Sequence, residues 1–113
     1  MARLYKKNSI AKTVKISEVS SVTGQTIEDH GIVFVGDRVG VAFDKVDDKN
    51  VTVYFGADLD FATSDFVEGS LPAIGGKLYL NAEGKLEKTT SEKFVGYYWG
   101  MLETGGIVFS LAN

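Results

Sequence analysis

Residues 75–90 of the chain, GGKLYLNAEGKLEKTT, determine how the rest of the sequence is interpreted. Leu78 and Leu80 alternate with lysine, tyrosine and asparagine, and this two-residue period indicates a strand with one buried face. The tetrapeptide NAEG that follows predicts a tight turn, because its glycine adopts a positive φ at little cost. A return strand with one apolar anchor, Leu86, completes a hairpin that presents a surface.

The composition is that of one small β domain. The chain has 113 residues, of which 13 are glycines and one is proline, and the glycines separate short apolar runs. Such punctuation favours many turns and therefore an all-β fold. We predict a small β-barrel or sandwich of about seven to eight short strands, with at most one short helix, in residues 62–71.

Hydrophobic patterns also predict where the other strands lie. A continuous apolar run at residues 31–36 indicates a strand that is buried on both faces, and residues 94–103 form a long strand interrupted by glycines. Gly56 lies inside an alternating segment, where a glycine is typical of a bulge or bend. The strands predicted from alternation are residues 13–19, 38–43, 51–61, 77–81 and 107–111.

Basic residues are concentrated at the start of the chain. Five of the twelve precede Glu18, the first acidic residue, and the rest of the chain has seven basic and fifteen acidic side chains. We therefore divide the chain into a flexible arm, residues 1–12, and a single β domain, residues 13–113. The arm has no regular period. We expect it to become ordered on a partner through its apolar and basic side chains, Arg3, Leu4, Tyr5, Lys6, Lys7 and Ile10.

Several functions are disfavoured by features that the sequence lacks. It has no cysteine, which excludes disulfides and thiolate metal sites. No apolar run reaches the roughly 18 residues of a membrane helix, and the basic start lacks the apolar segment of a signal peptide, so we expect no membrane partner and no export. We also expect no nucleic-acid partner, because affinity for phosphate comes mainly from lysine and arginine and the domain is acidic.

No catalytic or cofactor site is predicted. His30 is the single histidine, and the sequence offers no partners for it in a triad or zinc site. Asp58 and Asp60 share a face of a predicted strand, which allows a glycosidase pair or a divalent-ion site, although the solvated side of an amphipathic strand is the simpler interpretation. The glycines match neither a phosphate loop nor a dinucleotide fingerprint. We therefore expect no cofactor and no metal.

Tyr97, Tyr98 and Trp99 are the most prominent aromatic residues. Alternation places Tyr98 on one side of the strand and Tyr97 with Trp99 on the other, so one side belongs to the core. Because tyrosine and tryptophan are enriched in interface cores, we expect Tyr97 and Trp99 to contact another subunit. A platform on which a sugar ring stacks and a purely structural role are the alternatives.

Several short motifs follow one another in a characteristic order along the chain. The first are GDRVGVA at residues 36–42, a charged loop, VTVYFG at residues 51–56, and Phe61-Ala62. They are followed by GGKLY at residues 75–79, GKL at residues 84–86, Val95-Gly96, and residues 107–111. This order resembles that of the small head decoration, or capsid cement, proteins of tailed bacteriophages. The aromatic residues after Gly96 and the basic start depart from the family pattern, which has small residues after that glycine.

This resemblance implies a structural protein and not an enzyme. It would bind the outer surface of an assembled phage head, often as trimers at local three-fold positions, and stabilise the shell. Its partner would be the major capsid protein, and its location the exterior of the virion after synthesis in the host cytoplasm. Three alternatives stay open: a carbohydrate-binding β module that uses Tyr97 and Trp99, a single-strand nucleic-acid binder, which the acidic domain disfavours, and a hydrolase with Asp58 and Asp60 in a cleft.

Overall fold

The structure, a computed structural model, describes residues 11–20, 31–56 and 59–113, except for the side chains of Asp44 and Lys45. These residues form ten β-strands and one 3-10 turn, Ile16–Glu18, so the fold is all-β as predicted. The strands are β1 (Ala11–Lys15), β2 (Val19–Ser20), β3 (Ile32–Val35), β4 (Arg38–Lys45), β5 (Asn50–Tyr54), β6 (Asp60–Thr63), β7 (Lys77–Leu80), β8 (Leu86–Glu87), β9 (Phe94–Met101) and β10 (Ile107–Leu111).

The first sheet contains five strands in the order β1-β5-β4-β3-β2, and neighbouring strands are antiparallel. Its edge strands β1 and β2 are consecutive in the chain and are separated only by the 3-10 turn. The outer strands of a flat five-stranded sheet lie roughly 19 Å apart, which is farther than this connection reaches, so the sheet is rolled. The rolled sheet encloses a small core in which Val33, Ala42, Val51 and Val53 are buried.

The second sheet has the order β6-β10-β9-β7-β8, and its ladders are also antiparallel. After β6 the chain passes directly to the opposite edge, where Phe66 forms a parallel bridge with Leu86 of β8. Hydrogen bonds of 2.9 Å from Val67 N to Leu86 O and from Leu86 N to Asp65 O hold this segment in place. Because only Ser64 lies between β6 and this segment, the second sheet is rolled as well.

The main core lies between the sheets. Val39 and Val41 of β4 pack there against the inward side chains of the second sheet, which are Leu78, Leu80, Leu86, Val95, Tyr98, Ile107, Phe109 and Leu111. Strand β3 contributes to both cores, since Val33 belongs to the small core while Ile32 and Phe34 pack against the main one. Of this strand, which the sequence predicts to be buried on both faces, Val33 is buried and the other three residues are half-buried.

The hairpin predicted at residues 75–90 is present as β7, a turn and β8. Its three leucines are at most 2% exposed. Gly84 has a φ of 80°, as the turn requires. The side-chain oxygen Oδ1 of Asn81 accepts hydrogen bonds from the backbone N–H groups of Glu83 at 2.9 Å and Lys85 at 3.0 Å, which fixes the turn.

Asn113 links the two sheets. It lies beyond β10 of the second sheet, and its side chain contacts the first sheet. Oδ1 accepts hydrogen bonds from Arg38 Nε at 3.2 Å and Val39 N at 3.3 Å. Nδ2 donates to the backbone oxygen of Val39 and, at 3.0 Å, to that of Phe55. Both donor hydrogens and both acceptor positions of the amide are therefore used in the link.

The prediction of at most one short helix is confirmed, but that helix does not lie in residues 62–71. This segment contains the end of β6 and the Phe66 bridge, where Asp65 and Val67 form backbone hydrogen bonds with Leu86 of β8, and then a tight turn in which Ser70 N donates to Val67 O at 3.1 Å. The 3-10 turn lies instead at Ile16–Glu18 and ends the strand predicted at residues 13–19. The number of strands is also larger than predicted, because this turn separates β2 from β1 and because the strand predicted at residues 51–61 is divided into β5 and β6.

Two predicted boundaries also move. The strand predicted at residues 51–61 is two strands, β5 and β6, which belong to different sheets. The chain changes sheet after β5, near Gly56, where the sequence predicts a bulge or bend. At the other end of the domain, β1 begins at Ala11, which pairs with Tyr54, so Ala11 and Lys12 of the predicted arm belong to a strand.

Candidate binding surface

The outer face of the second sheet carries aromatic side chains. In β7, Leu78 and Leu80 are buried in the main core, while Lys77 and Tyr79 lie on the outer face. In β9, Tyr98 is 8% exposed and Trp99 is 47% exposed. The solvated face of an antiparallel sheet is usually polar, so a group of aromatic residues there is a candidate binding surface.

Tyr79, Phe94 and Tyr97 form a continuous group, which we call the aromatic cluster. The ring centroids of Tyr79 and Phe94 are 5.4 Å apart with planes inclined by 41°. Those of Phe94 and Tyr97 are 5.7 Å apart with planes inclined by 88°. The ammonium nitrogen of Lys77 lies 5.5 Å from the centre of the Phe94 ring. The rings therefore support one another as a compact ridge rather than as a flat row.

A β-bulge places Phe94 on this face. Gly96 and Phe94 of β9 pair with successive residues of β7, Leu78 and Tyr79, so Val95 is an extra residue in β9. Val95 is fully buried in the main core, and the alternation of β9 reverses at this point. Strict alternation would have placed Phe94 inward with Tyr98.

A second irregularity exposes Trp99. The neighbouring residues Val108 and Phe109 of β10 pair with Gly100 and Tyr98 of β9, so Trp99, which lies between Gly100 and Tyr98, is an extra residue without a partner in β10. The next residue, Gly100, has a φ of 129°, a value that favours glycine. The indole Nε1 of Trp99 donates a 2.8 Å hydrogen bond to Ser110 Oγ. This bond holds the indole in one orientation while almost half of the side chain stays accessible.

Large apolar side chains are exposed where β9 ends. We call these residues, which are between 40 and 69% exposed, the apolar patch: Ile74, Trp99, Met101 and Leu102. A 2.7 Å hydrogen bond from Gly75 N to Tyr98 O holds the loop that contains Ile74 beside β9. Among the described residues, the other large hydrophobic side chain with comparable exposure is Val46, in the turn between β4 and β5.

Of the predicted site residues, Tyr97 and Trp99 lie on the outer face together, as alternation predicts. They belong to different groups, Tyr97 to the aromatic cluster and Trp99 to the apolar patch. Asp60 is exposed at the start of β6. The other predicted or considered residues lie outside the described residues, and these are Arg3, Leu4, Tyr5, Lys6, Lys7, Ile10, His30 and Asp58.

The structure adds residues that the sequence interpretation did not assign to a site. The alternation of the predicted strand at residues 77–81 already places Tyr79 on the outer face, so the sequence was sufficient to find this residue. Phe94 is hidden from such analysis because the bulge at Val95 reverses the alternation. Ile74 and Met101 lie in a loop and at a strand end, where no period applies.

Two acidic side chains stabilise turns. Asp47 Oδ1 accepts hydrogen bonds from the backbone N–H groups of Lys49 at 2.8 Å and Asn50 at 2.9 Å, and the Lys49 bond contributes most to lowering the pKa of Asp47. Asn81 Nδ2 donates to Glu87 Oε2 at 2.9 Å and is the main cause of the lowered pKa of Glu87. The described residues contain no group of three or more His, Cys, Asp or Glu side chains able to hold a metal ion.

Comparisons of this chain with family models, with curated proteins and with solved structures give no match. Within the described ranges, none of the helical structure is long and apolar enough to cross a membrane. Function is therefore inferred from the outer face of the second sheet and from the order of the sequence motifs.

Proposed function

We propose that this chain is a structural protein, not an enzyme, that binds the outer surface of an assembled bacteriophage head and stabilises it. The observation that carries the proposal is the aromatic cluster, which lies on the outside of a sheet whose inner face already forms the main core. The partner is the major capsid protein. The chain is made in the host cytoplasm and resides on the exterior of the virion.

The aromatic cluster has the properties of a protein contact. Tyrosine side chains provide large apolar areas with a polar end, and they lose little conformational entropy when they are buried by a partner. Contacts of Phe94 with both tyrosines already restrict these rings before a partner binds. A preorganised ridge loses less entropy on binding than mobile side chains do, which favours affinity.

The resemblance to head decoration proteins supplies the identity of the partner. Glycines of the matching motifs lie where the backbone forms turns or where two strands come close together. The dipeptide Gly36-Asp37 forms the two-residue turn between β3 and β4, and Gly84 forms the turn before β8. A Cβ on Gly96 would lie 1.7 Å from the backbone oxygen of Ser110, so the close approach of β9 and β10 requires glycine there. The motifs that carry the resemblance are therefore ones that this fold itself uses, and the role is carried over from the family by analogy.

Association on a symmetric shell also suits a small protein with a modest contact surface. We propose that copies associate as trimers at local three-fold positions, as the resemblance implies. Each trimer then binds several capsid subunits at once, so that moderate individual contacts give a high overall affinity. Because the protein binds only assembled shell, mass action shifts the equilibrium towards the intact head.

The proposal is tested by sedimentation with undecorated heads assembled from the major capsid protein of the same phage. We expect the wild-type chain to pellet with the heads and to raise their disruption temperature. Tyr97→Ala removes one ring of the cluster, and we expect a loss of about 2 kcal/mol per contact, or roughly thirtyfold in affinity. Val46→Ala, a change at an exposed position in the turn between β4 and β5, is the control and should bind normally.

Two results of this experiment contradict the proposal. A wild-type chain that stays in the supernatant at every salt concentration does not bind heads. If Tyr97→Ala binds as well as the wild type does, the aromatic cluster is not the contact. The melting temperature of each variant is measured in parallel, because a folded variant is needed for either conclusion.

A carbohydrate-binding module is the second candidate, and Trp99 favours it. Its indole is 47% exposed and is oriented by the hydrogen bond to Ser110, as a stacking platform for a sugar ring requires. The 88° angle between Phe94 and Tyr97 opposes a platform longer than one sugar, since successive rings would have to be nearly coplanar. Binding of the wild-type chain to a glycan array, lost in Trp99→Ala, would favour this function over head binding.

A further inference from the structure

The apolar patch is formed by two segments that carry no charged side chain of their own. Residues 71–76 and 94–102 contain no charged side chain, although 24% of the chain is charged. The two segments lie side by side, because Gly75 N donates to Tyr98 O at 2.7 Å and Tyr98 N donates to Gly76 O at 2.9 Å. The indole of Trp99 comes within 4.0 Å of the place that a Cβ on Gly75 would occupy. Trp99 therefore lies against the loop that carries Ile74.

The remaining surface of the domain is acidic. Residues 11–113 contain nine basic and fifteen acidic side chains. Two copies of such a domain repel each other wherever their charged surfaces meet. A contact between identical chains avoids this repulsion when it is made through a neutral surface. A strongly charged partner, in contrast, would gain no electrostatic attraction from the patch.

We infer that the apolar patch is the contact between copies of this chain. Tryptophan and methionine are enriched and charged residues are depleted at the centre of protein interfaces, and the patch has this composition. The inference rests on the proposed function, in which copies associate, but it is measured in solution without phage heads. Its failure is therefore distinguishable from a failure of head binding.

The distribution of charge predicts how salt affects self-association. Because the contact is neutral and the domains around it repel, added salt should strengthen self-association by screening the repulsion. A contact held by opposite charges would weaken instead. Salt therefore separates this contact from one made by basic residues with an acidic partner.

The test uses sedimentation velocity of the full chain over a concentration series, together with tryptophan fluorescence. Trp99 is the only tryptophan, so its emission reports on the patch directly. We expect larger species at higher concentration, with an emission shift to shorter wavelength as Trp99 is buried. Ile74→Ser and Met101→Ser should each raise the dissociation constant about tenfold. Val46→Ser, which changes an equally exposed residue outside the patch, should leave the dissociation constant unchanged.

Three outcomes would overturn the inference. The first is a chain that stays monomeric at about millimolar concentration at both low and high salt. The second is Val46→Ser weakening association as much as the two patch variants do. The third is a monomeric chain whose patch variants lose head binding, which would make the patch a contact with the capsid. Two substitutions in different segments keep the test valid if one of them impairs folding.

Discussion

At the scale of single residues, Asn113 has the most far-reaching contacts. Its amide joins the end of the second sheet to Arg38 and Val39 of the first sheet and to Phe55, the residue after β5, through four hydrogen bonds. Asn113→Ala removes the hydrogen-bond partner of the N–H and C=O groups of Val39, which must then be hydrated or stay unpaired, and we expect a loss of about 2 kcal/mol in the free energy of unfolding. Urea denaturation measures this change.

Two further variants make the measurement specific. Asn113→Asp keeps the size and the acceptor but removes both N–H donors and brings a carboxylate near two backbone oxygens, so it should destabilise the fold as well. Thr104→Ala, in the exposed turn between β9 and β10, should change stability by less than about 0.5 kcal/mol. A stability of Asn113→Ala equal to that of Thr104→Ala would mean that the link contributes nothing.

The aromatic residues show how far sequence can predict single side chains. Alternation correctly separates Tyr98, which is in the core, from Trp99, which is outside, although Trp99 is itself the extra residue at the irregularity between β9 and β10. It fails at Phe94, where the extra residue Val95 reverses the pattern. A bulge depends on the register with a neighbouring strand, and that register is a property of the fold rather than of the local sequence.

At the scale of elements, the hairpin of β7 and β8 is fastened by a carboxylate. Glu87 of β8 accepts hydrogen bonds from Asn81 Nδ2 at 2.9 Å and Ser70 Oγ at 3.3 Å, which join the hairpin to the preceding loop. These bonds favour the charged form, and the pKa of Glu87 falls below its usual value of 4.5, with Asn81 the largest cause. The stabilisation is present above the unfolded-state pKa and is lost as pH falls through the lower folded-state pKa.

The pH dependence gives a prediction for Glu87→Gln. At about pH 7 the wild type should be more stable than the variant, and the difference should shrink as the pH falls through the lowered pKa of Glu87, because the wild-type carboxylate becomes protonated. Thermal unfolding at a series of pH values measures this. Glu83→Gln, at an exposed position in the same hairpin turn, is the control. A difference between wild type and Glu87→Gln that stays constant with pH would contradict the role of the charged form.

Elements are predictable where periodicity and turn chemistry agree. The hairpin at residues 75–90 has two inward leucines and a glycine at the positive φ of its turn, so both signals give the same answer. Residues 62–71 have neither signal, and the sequence predicts at most one short helix there. Their conformation is set by the bridge between Phe66 and Leu86, two residues 20 positions apart in sequence, which no local pattern encodes.

At the scale of the molecule, both sheets are rolled by the same means. In each sheet the first strand pairs with the last, β1 with β5 and β6 with β10. A short connection then carries the chain from that first strand to the opposite edge. The all-β class follows from composition, but this closure does not, because it depends on which strands pair. The same limit applies to the candidate surface, whose members come from β7, β9 and the loop before β7.

The basic start of the chain supports a prediction for the whole assembly. Removing residues 1–10 deletes Arg3, Lys6 and Lys7 but keeps Ala11 and Lys12, which pair with Tyr54 and Val53 in β1. A deletion that also removed Ala11 and Lys12 would shorten the edge strand β1 and destabilise the fold, so a loss of binding could not be assigned to the basic residues. We therefore expect the chain without residues 1–10 to melt at nearly the same temperature as the full chain.

We also expect this shortened chain to bind heads more weakly, with the largest loss at low salt. Attraction between basic residues and an acidic shell is screened over about 8–10 Å at physiological ionic strength, so salt should reduce the advantage of the full chain. Replacing Arg3, Lys6 and Lys7 by glutamine removes the same charges at constant length and should reproduce most of the loss. Head sedimentation over a salt series measures both effects. Equal affinities of the full and shortened chains at every salt concentration would show that the basic residues take no part in binding. The main effect of charge on the protein would then be the repulsion between copies, which salt should weaken and so strengthen self-association.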